Sequence, residues 1–345
     1  MSIYRKLIVI SLILTTIVVV FGAYVRLADA GLGCPDWPGC FGQLTPTQAA
    51  DQIWAAYVAD PQGHVSMPKA WKEMIHRYLA TGLGLMIIAI AVIAWMRRQN
   101  PAAAPIAATA LLAVVIFQGL LGKWTVTMLL NPAIVTAHLI GGMTTLAIIA
   151  WLAMRAYQVT QVRAPSAMVL FARAAFVLLA AQIILGGWVS TNYAALACTD
   201  FPTCNGSWWP QADYANAVQI FRELGLTPEG DLLPFDALVA MHWMHRVGAV
   251  IAGVALIALG WSLRRYEALR SVGMVLIVAT LLQIVIGIAN VVMNLPLLLA
   301  AAHNAGAALL VVIMVCINYQ LSRARFAAAV GEGENGRGEH QKSYA

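Results

Sequence analysis

Charged residues are scarce in this chain. Lysine and arginine together number 21 and aspartate and glutamate 15, so 10% of the 345 residues are charged, while 61% are hydrophobic. Soluble globular domains are about one-quarter charged, so the deficit excludes an ordinary water-soluble domain. The net charge of +6 does not indicate a nucleic-acid-binding protein either, because the basic residues lie in short connections between apolar runs.

Two signals of other protein classes are also missing. No Asp-x-x-x-Asp motif lies near an apolar run, which argues against a prenyltransferase, because such aspartates hold the magnesium diphosphate of its substrate. No small-residue cleavage site closes the first apolar run, which extends from about Leu7 to Val25 and is longer than a typical signal-peptide core. We therefore predict that this run is retained as a transmembrane helix.

Eight apolar runs of about 20 residues follow one another along the chain. A helix rises about 1.5 Å per residue, so each run can cross a hydrocarbon core about 30 Å thick. The sequence therefore predicts an all-α integral membrane protein with eight transmembrane helices. The predicted spans are residues 7–26, 74–96, 105–126, 134–154, 169–190, 238–262, 271–293 and 297–319.

Arginines mark the connections that are predicted to face the cytoplasm. Arg97 and Arg98 follow the second span, and Arg264 and Arg265 follow the sixth. Cytoplasmic loops of membrane proteins are enriched in lysine and arginine. We therefore expect a multi-pass protein of the bacterial plasma (inner) membrane with both termini in the cytoplasm and the two long segments between spans on the outside.

The second half of the chain repeats the first at a nearly constant interval. Cys34 recurs as Cys198, and His138 recurs as His303 at almost the same spacing. Each repeat holds an even number of spans, so both have the same orientation in the membrane. We predict two tandem four-helix bundles related by a parallel pseudo-two-fold axis. The two units and the tail that follows them comprise residues 1–165, 166–322 and 323–345. The cytoplasmic tail is rich in glycine and glutamate and is expected to be disordered.

Four of the five cysteines form two Cys-x5-Cys pairs, Cys34 with Cys40 and Cys198 with Cys204, in the segments predicted to lie outside. The outside of a bacterial plasma membrane is oxidising, so each pair could close a disulfide loop. Free thiols or a zinc site are the alternatives, although this spacing is wider than the usual spacing of zinc ligands. Cys316, inside the last span, is interpreted as a packing residue.

Four histidines begin the second, fourth, sixth and eighth spans and are therefore expected at similar depth. They are His76, His138, His245 and His303. An ionisable group inside a membrane is costly, which makes each position a functional candidate. Two histidines from two helices of a bundle can ligate one haem iron axially, whereas zinc usually needs a third or fourth protein ligand. A polar contact between helices is the remaining alternative.

Glu73 distinguishes the two repeats. It lies three residues before His76, on the same face of a helix, whereas the residue three before His245 is His242. A carboxylate beside a haem edge can take up a proton or stabilise a cation. The first unit would then be catalytic and the second an electron relay. The alternative is an interfacial carboxylate paired with a neighbouring basic residue.

Two arginines, Arg77 and Arg246, directly follow the first histidine of each repeat. A guanidinium suits carboxylate geometry, so these side chains are candidates for binding haem propionates. Contact with lipid headgroups is the alternative. His242, His64 and His340 are not predicted to be ligands.

The Glu73-x-x-His76-Arg77 motif, the other three span histidines, the eight spans and the two cysteine pairs together resemble haem A synthase, the CtaA-type family of integral membrane enzymes. The resemblance covers about residues 5–322. It implies oxidation of the C8 methyl group of haem O to a formyl group, through hydroxylated intermediates with water as the oxygen source. The product, haem A, serves terminal oxidases.

The resemblance also implies roles for individual residues. His245 and His303 would ligate a low-spin haem B in the second unit. His76 and His138 would frame the substrate haem O in the first, with Glu73 acting in catalysis beside it. The partners implied are haem O, haem O synthase, oxidase assembly factors, membrane lipid and an electron acceptor of unspecified identity. No nucleic acid is expected.

Three other functions are compatible with parts of the pattern. A membrane cytochrome b that only transfers electrons shares the histidine pairs but does not need Glu73. A transporter or haem exporter often has a parallel repeat, but it needs a polar path through the spans, and here the ionisable residues gather near one face. Haem O synthase is a prenyltransferase, which the missing aspartate motif argues against.

Overall fold

The structure is a computed structural model that describes residues 2–338, and within that range the backbone forms ten α-helices. Their bounds are α1 (Ser2–Leu27), α2 (Ala50–Ala59), α3 (Met67–Met96), α4 (Pro105–Thr127), α5 (Pro132–Ala156), α6 (Ser166–Thr191), α7 (Tyr214–Ala217), α8 (Phe235–Leu263), α9 (Arg270–Val292) and α10 (Leu297–Gly338). Two short 3₁₀ turns, Ala194–Leu196 and Glu267–Leu269, complete the helical structure of this range.

Eight of these helices are long and apolar enough to cross a membrane, which confirms the predicted all-α membrane fold and its number of spans. Among the starts of the spans, the largest difference from prediction is at the second, because α3 begins at Met67 rather than at residue 74. Pro68 occupies the first turn, where its fixed φ suits a helix start. Glu73 and His76 therefore lie inside a helix rather than at its head.

The spanning helices pack as two rings of four. In the first half, α1 and α4 both pack against α3 and α5, and in the second half α6 and α9 both pack against α8 and α10. The halves meet where α5 contacts α6 and where α10 contacts α1 and α5. One buried cluster contains Leu146 of α5, Leu179 of α6, Leu276 of α9 and Met314 of α10. Close packing holds these helices together, since lipid is as apolar as the side chains.

The backbone takes the left-handed conformation at positions that recur with the interval of the sequence repeat. Three such pairs are Asp29 with Tyr193, Phe41 with Asn205, and Leu130 with Leu295. The first pair also joins the two halves, because the Tyr193 hydroxyl lies 3.2 Å from a carboxylate oxygen of Asp29. The Arg26 guanidinium at the end of α1 lies over the Tyr193 ring, 4.0 Å from its centroid.

The last helix continues beyond the predicted span. α10 extends from Leu297 to Gly338, and the disorder expected of the tail stays a prediction. An existing helix adds residues without a new nucleation cost, and the alanine-rich stretch 326–330 favours helix. Residues 339–345, which include His340, lie outside the described residues.

Candidate functional site

Both cysteine pairs are disulfides. The Sγ atoms are 2.08 Å apart in Cys34–Cys40 and 1.97 Å apart in Cys198–Cys204. Each bond closes a compact turn that ends in an isolated antiparallel bridge. We name these turns the first cysteine loop (residues 34–43) and the second cysteine loop (residues 198–207). The bonded sulfurs leave no thiolate among these four cysteines for a zinc ion.

The four span histidines lie on the second, fourth, sixth and eighth spanning helices, which are α3, α5, α8 and α10. Their side chains are half-buried. His76 lies within electrostatic range of His138, and His245 lies within electrostatic range of His303. The structure therefore brings the four histidines together as two pairs, one in each ring of helices.

Each histidine ring faces a glycine on a neighbouring helix. The four contacts are Gly22 with His76, Gly122 with His138, Gly186 with His245 and Gly287 with His303. A Cβ atom built on Gly22 would lie 2.7 Å from Cε1 of His76, and one on Gly186 would lie 2.9 Å from Cε1 of His245. At these two positions a side chain would collide with the ring, so glycine is what gives the imidazole its space.

Glutamines hold the backbone behind three of the histidines, a role that sequence reasoning missed. Gln118 donates to the carbonyl of His138 and Gln283 donates to that of His303, each at 2.9 Å. The sequence does contain a signal for this role, because the two glutamines occupy equivalent positions in the two repeats.

The third glutamine makes the two halves differ. Gln182 donates to the carbonyl of His245 at 3.0 Å, and its amide nitrogen lies 2.9 Å from Nδ1 of the same histidine. The residue at the equivalent place in the first repeat is Val18, which cannot form such a bond. His245 is therefore held through its ring as well as its backbone, whereas His76 has no equivalent contact.

The histidine pairs fit a haem better than a bare metal ion. Within the described part of the chain, Nδ1 of His76, His138 and His303 is buried without a hydrogen-bond partner. These three rings are therefore not fixed by a hydrogen bond from Nδ1 to a protein group. No group of three or more His, Cys, Asp or Glu side chains suited to a metal ion occurs among the described residues. Two imidazoles from facing helices match the axial ligands of a haem iron, whose macrocycle provides the other four.

Glu73 is tied to the first cysteine loop. Its side chain is only 6% exposed, one carboxylate oxygen accepts a hydrogen bond from the backbone N–H of Cys34 at 2.9 Å, and the other is paired with Arg77. Arg77 also donates to the carbonyl of Asp36 at 2.9 Å and to that of Gly39 at 2.5 Å. The carboxylate is therefore both paired with a basic residue and one helical turn from His76.

His242, the counterpart of Glu73 in the sequence repeat, makes equivalent contacts in the second half, and sequence reasoning did not anticipate these contacts. It is 4% exposed, its Nδ1 lies 3.3 Å from the backbone nitrogen of Cys198, and its Nε2 lies 3.2 Å from Nε of Arg246. Arg246 also donates to the carbonyl of Thr203 at 2.7 Å. Its position three residues before His245 was the only sequence signal. Both candidate propionate arginines are thus engaged with the cysteine loops, and a propionate contact stays a prediction.

The fold and the site together define a class: a multi-pass helical membrane protein with two intramembrane histidine pairs, each next to a disulfide-closed loop. The sequence profile of a family described as cytochrome oxidase assembly protein matches residues 5–315. The chain belongs to this family.

Similar proteins span nearly the whole chain. A heme A synthase of Shewanella oneidensis is 40% identical over 315 residues, which cover 90% of this chain and 94% of the relative. A heme A synthase of Halalkalibacterium halodurans is 28% identical over 89% of this chain and 93% of its own length. One of Rhizorhabdus wittichii is 28% identical over 91% and 92%, respectively.

Proposed function

We propose that this chain is a haem A synthase, which oxidises the C8 methyl group of haem O to a formyl group and so supplies haem A to terminal oxidases. The observation that carries the proposal is the combination of two histidine pairs with a buried carboxylate, Glu73, beside only one of them. A protein that only transferred electrons would need the pairs but not this carboxylate. The similarity to heme A synthases over most of the chain supports the same function.

The two units that the sequence predicts, residues 1–165 and 166–322, hold different haems in this proposal. Haem O, the substrate, lies between His76 and His138 in the first unit. The two rings of helices and the recurring left-handed residues support this division into units. The same repeat recurs in the glycines that face the histidines.

His245 and His303 would hold haem B in the second unit. Gln182 supports this choice, because its hydrogen bond to the carbonyl of His245 fixes the position of that residue, and partners of a ligating histidine orient it and strengthen binding. A cofactor that stays bound gains from such a contact. A substrate that must leave after each turnover does not, and the equivalent residue in the first unit is Val18.

The reaction removes four electrons from the methyl carbon and brings in oxygen from water. The methyl group and one water give an alcohol, with loss of two electrons and two protons. The alcohol and a second water give a geminal diol with the same losses, and the diol releases one water to leave the aldehyde. Glu73 accepts a proton or stabilises positive charge that develops beside the ring. When bound, haem B supplies electron transfer toward an external acceptor.

The proposed setting is the bacterial plasma (inner) membrane, with both termini in the cytoplasm. The arginines at Arg97, Arg98, Arg264 and Arg265 support this orientation. In this setting haem O synthase would supply the substrate, and oxidase assembly factors would receive the product. Membrane lipid would surround the apolar outer faces of the helices.

The test is production of haem A in a bacterial host that makes haem O and lacks a haem A synthase of its own. Haems are extracted from membranes and separated by chromatography. We expect haem A with the wild-type chain and almost none with His76→Ala, because the variant lacks one side of the substrate site. His64→Ala is the matched control, since His64 lies in a loop with a side chain 54% exposed, and it should give the wild-type yield.

Glu73→Gln tests the role of the carboxylate in the same host. Loss of one preorganised charged group typically slows a reaction about 100- to 1000-fold. The variant should therefore retain haem B and accumulate haem O or the alcohol. Membranes that contain the wild-type chain and haem O but never haem A would rule out the proposed function and favour a cytochrome b.

A further inference from the structure

One helix position has the same contacts in both halves of the chain. Glu73 and His242 each stand three residues before the first histidine of a pair. Glu73 accepts a hydrogen bond from the amide of Cys34 at 2.9 Å, and Nδ1 of His242 lies 3.3 Å from the amide nitrogen of Cys198. Each side chain therefore contacts the first residue of its cysteine loop.

The same two side chains also contact the arginine one turn further along their own helix. Arg77 is paired with Glu73, and Nε of Arg246 lies 3.2 Å from Nε2 of His242. Both arginines in turn donate to backbone carbonyls of their loops, at 2.9 Å and 2.7 Å. We call this set of contacts among helix residue, arginine and loop amide the loop latch.

The latch is close to the histidine that follows it. Arg77 is the next residue after His76, so the contacts that fix the loop bracket the proposed ligand on both sides along α3. The backbone that leads into the loop also rests directly on α3, since a Cβ atom built on Gly33 would lie 2.6 Å from backbone atoms of Lys69 and Ala70. A change in the loop is therefore transmitted to the turn of helix that presents His76.

The two latches differ in chemistry. A carboxylate can accept hydrogen bonds from the cysteine amide and the arginine together, whereas a neutral imidazole has one acceptor nitrogen and one N–H. The two groups that face its ring nitrogens, the amide of Cys198 and Nε–H of Arg246, are both donors. The imidazole can then satisfy either the amide of Cys198 or Arg246 at one time. The first cysteine loop is consequently held more firmly than the second.

We infer that Glu73 and His242 are positioning residues that latch the cysteine loops to the helices carrying His76 and His245. Glu73 combines this task with the reaction, whereas His242 only latches. Either a carboxylate or an imidazole can therefore serve as the latching group, but the reaction needs the negative charge of Glu73. The latch itself follows from the contacts alone, and only the statement about the reaction rests on the proposed function.

Reciprocal substitutions test the latch in the full-length, detergent-solubilised protein. The variants are Glu73→His, Glu73→Leu, His242→Glu and His242→Leu, and the readout is hydrogen–deuterium exchange at the amides of Cys34 and Cys198. The unmodified loop in each variant is the internal control. Glu73→Leu should speed exchange at Cys34 about 10- to 100-fold, as loss of one charge-assisted hydrogen bond predicts.

The swapped variants should behave differently from the leucine variants. Glu73→His should keep exchange at Cys34 within about tenfold of wild type, since a neutral hydrogen bond replaces a charged one. His242→Glu should slow exchange at Cys198, because a carboxylate accepts from both donors. Wild-type exchange rates in both leucine variants would refute the latch. Equal exchange rates at Cys34 in Glu73→His and Glu73→Leu would refute the claim that an imidazole can replace the carboxylate in the latch. If Glu73→Leu does not fold, the His242 variants decide the question in the other half.

Haem analysis of Glu73→His separates the two tasks of Glu73. We expect a protected first cysteine loop, a normal haem B content and little haem A. A wild-type yield of haem A from this variant would show that the reaction does not need the carboxylate. Failure of the proposed function is a different result, because the wild-type chain itself would then make no haem A while the exchange measurements would be unaffected.

Discussion

Replacing Gly22 with alanine is expected to displace the ring of His76. The new Cβ atom would lie 2.7 Å from Cε1 of His76, whereas carbon atoms in contact prefer about 3.5–4.0 Å. The ring would have to retreat by about 0.8 Å to reach that range. If His76 holds haem O as proposed, a displacement of this size would exceed the range of about ±0.2 Å within which metal–ligand distances normally fall, and binding would weaken.

Gly122 provides the matched control on the other side of the same histidine pair. A Cβ atom there would lie 3.4 Å from Cε1 of His138, which is almost an ordinary contact. Overpacking typically costs about 1–3 kcal/mol, and each 1.4 kcal/mol is a tenfold change in affinity. Gly22→Ala should therefore weaken haem O retention about 5- to 150-fold, while Gly122→Ala should stay within about twofold of wild type.

The assay is the ratio of haem O to protein after purification at limiting haem O, together with haem A production in membranes. The folded state of each variant is checked by thermal unfolding, because a ring displacement should leave the helices intact. Equal loss of haem O in Gly22→Ala and Gly122→Ala would refute the reasoning, since the two substitutions add the same atom to the same membrane region.

Three further predictions address topology, the disulfides and the second histidine pair. A reporter fused after Arg98 or Arg265 should report a cytoplasmic location and one fused within residues 210–230 a periplasmic location; the reverse pattern would contradict the predicted orientation. Mass mapping after alkylation without reductant should recover Cys34–Cys40 and Cys198–Cys204 as linked peptides, and four alkylated thiols would argue against the disulfides. Gln182→Leu should shift the midpoint potential or the occupancy of the low-spin haem more than Gln283→Leu does, because of these two glutamines only Gln182 contacts a histidine ring. Equal effects of the two substitutions would show that the ring contact of Gln182 does not matter.

The spans and the paired histidines could be predicted from the sequence because they depend on local composition and on the repeat. An apolar run of the right length has few alternatives to a transmembrane helix. A histidine within such a run is conspicuous, and its recurrence at a fixed interval marks it further. The early start of α3 at Met67 was missed, because its first turns are amphipathic and polar rather than apolar.

The contacts of the cysteine loops could not be predicted in the same way. Glu73 meets the amide of Cys34 across 39 residues of chain, and His242 meets that of Cys198 across 44. Such contacts depend on how an irregular loop folds back on a helix, and no periodic pattern encodes this. The sequence indicates that Glu73 and His242 occupy equivalent positions, but only the structure reveals that a carboxylate and an imidazole there contact the same groups.

The most direct test of the central claim is the identity of the haems that the purified protein carries. The protein is expressed in a host that makes both haem B and haem O, and the haems are extracted and identified by mass. We expect haem B together with haem O, haem A or a hydroxylated intermediate, because one histidine pair holds a cofactor and the other a substrate. Haem B alone, in both sites or in one, would contradict a haem A synthase and leave a membrane cytochrome b.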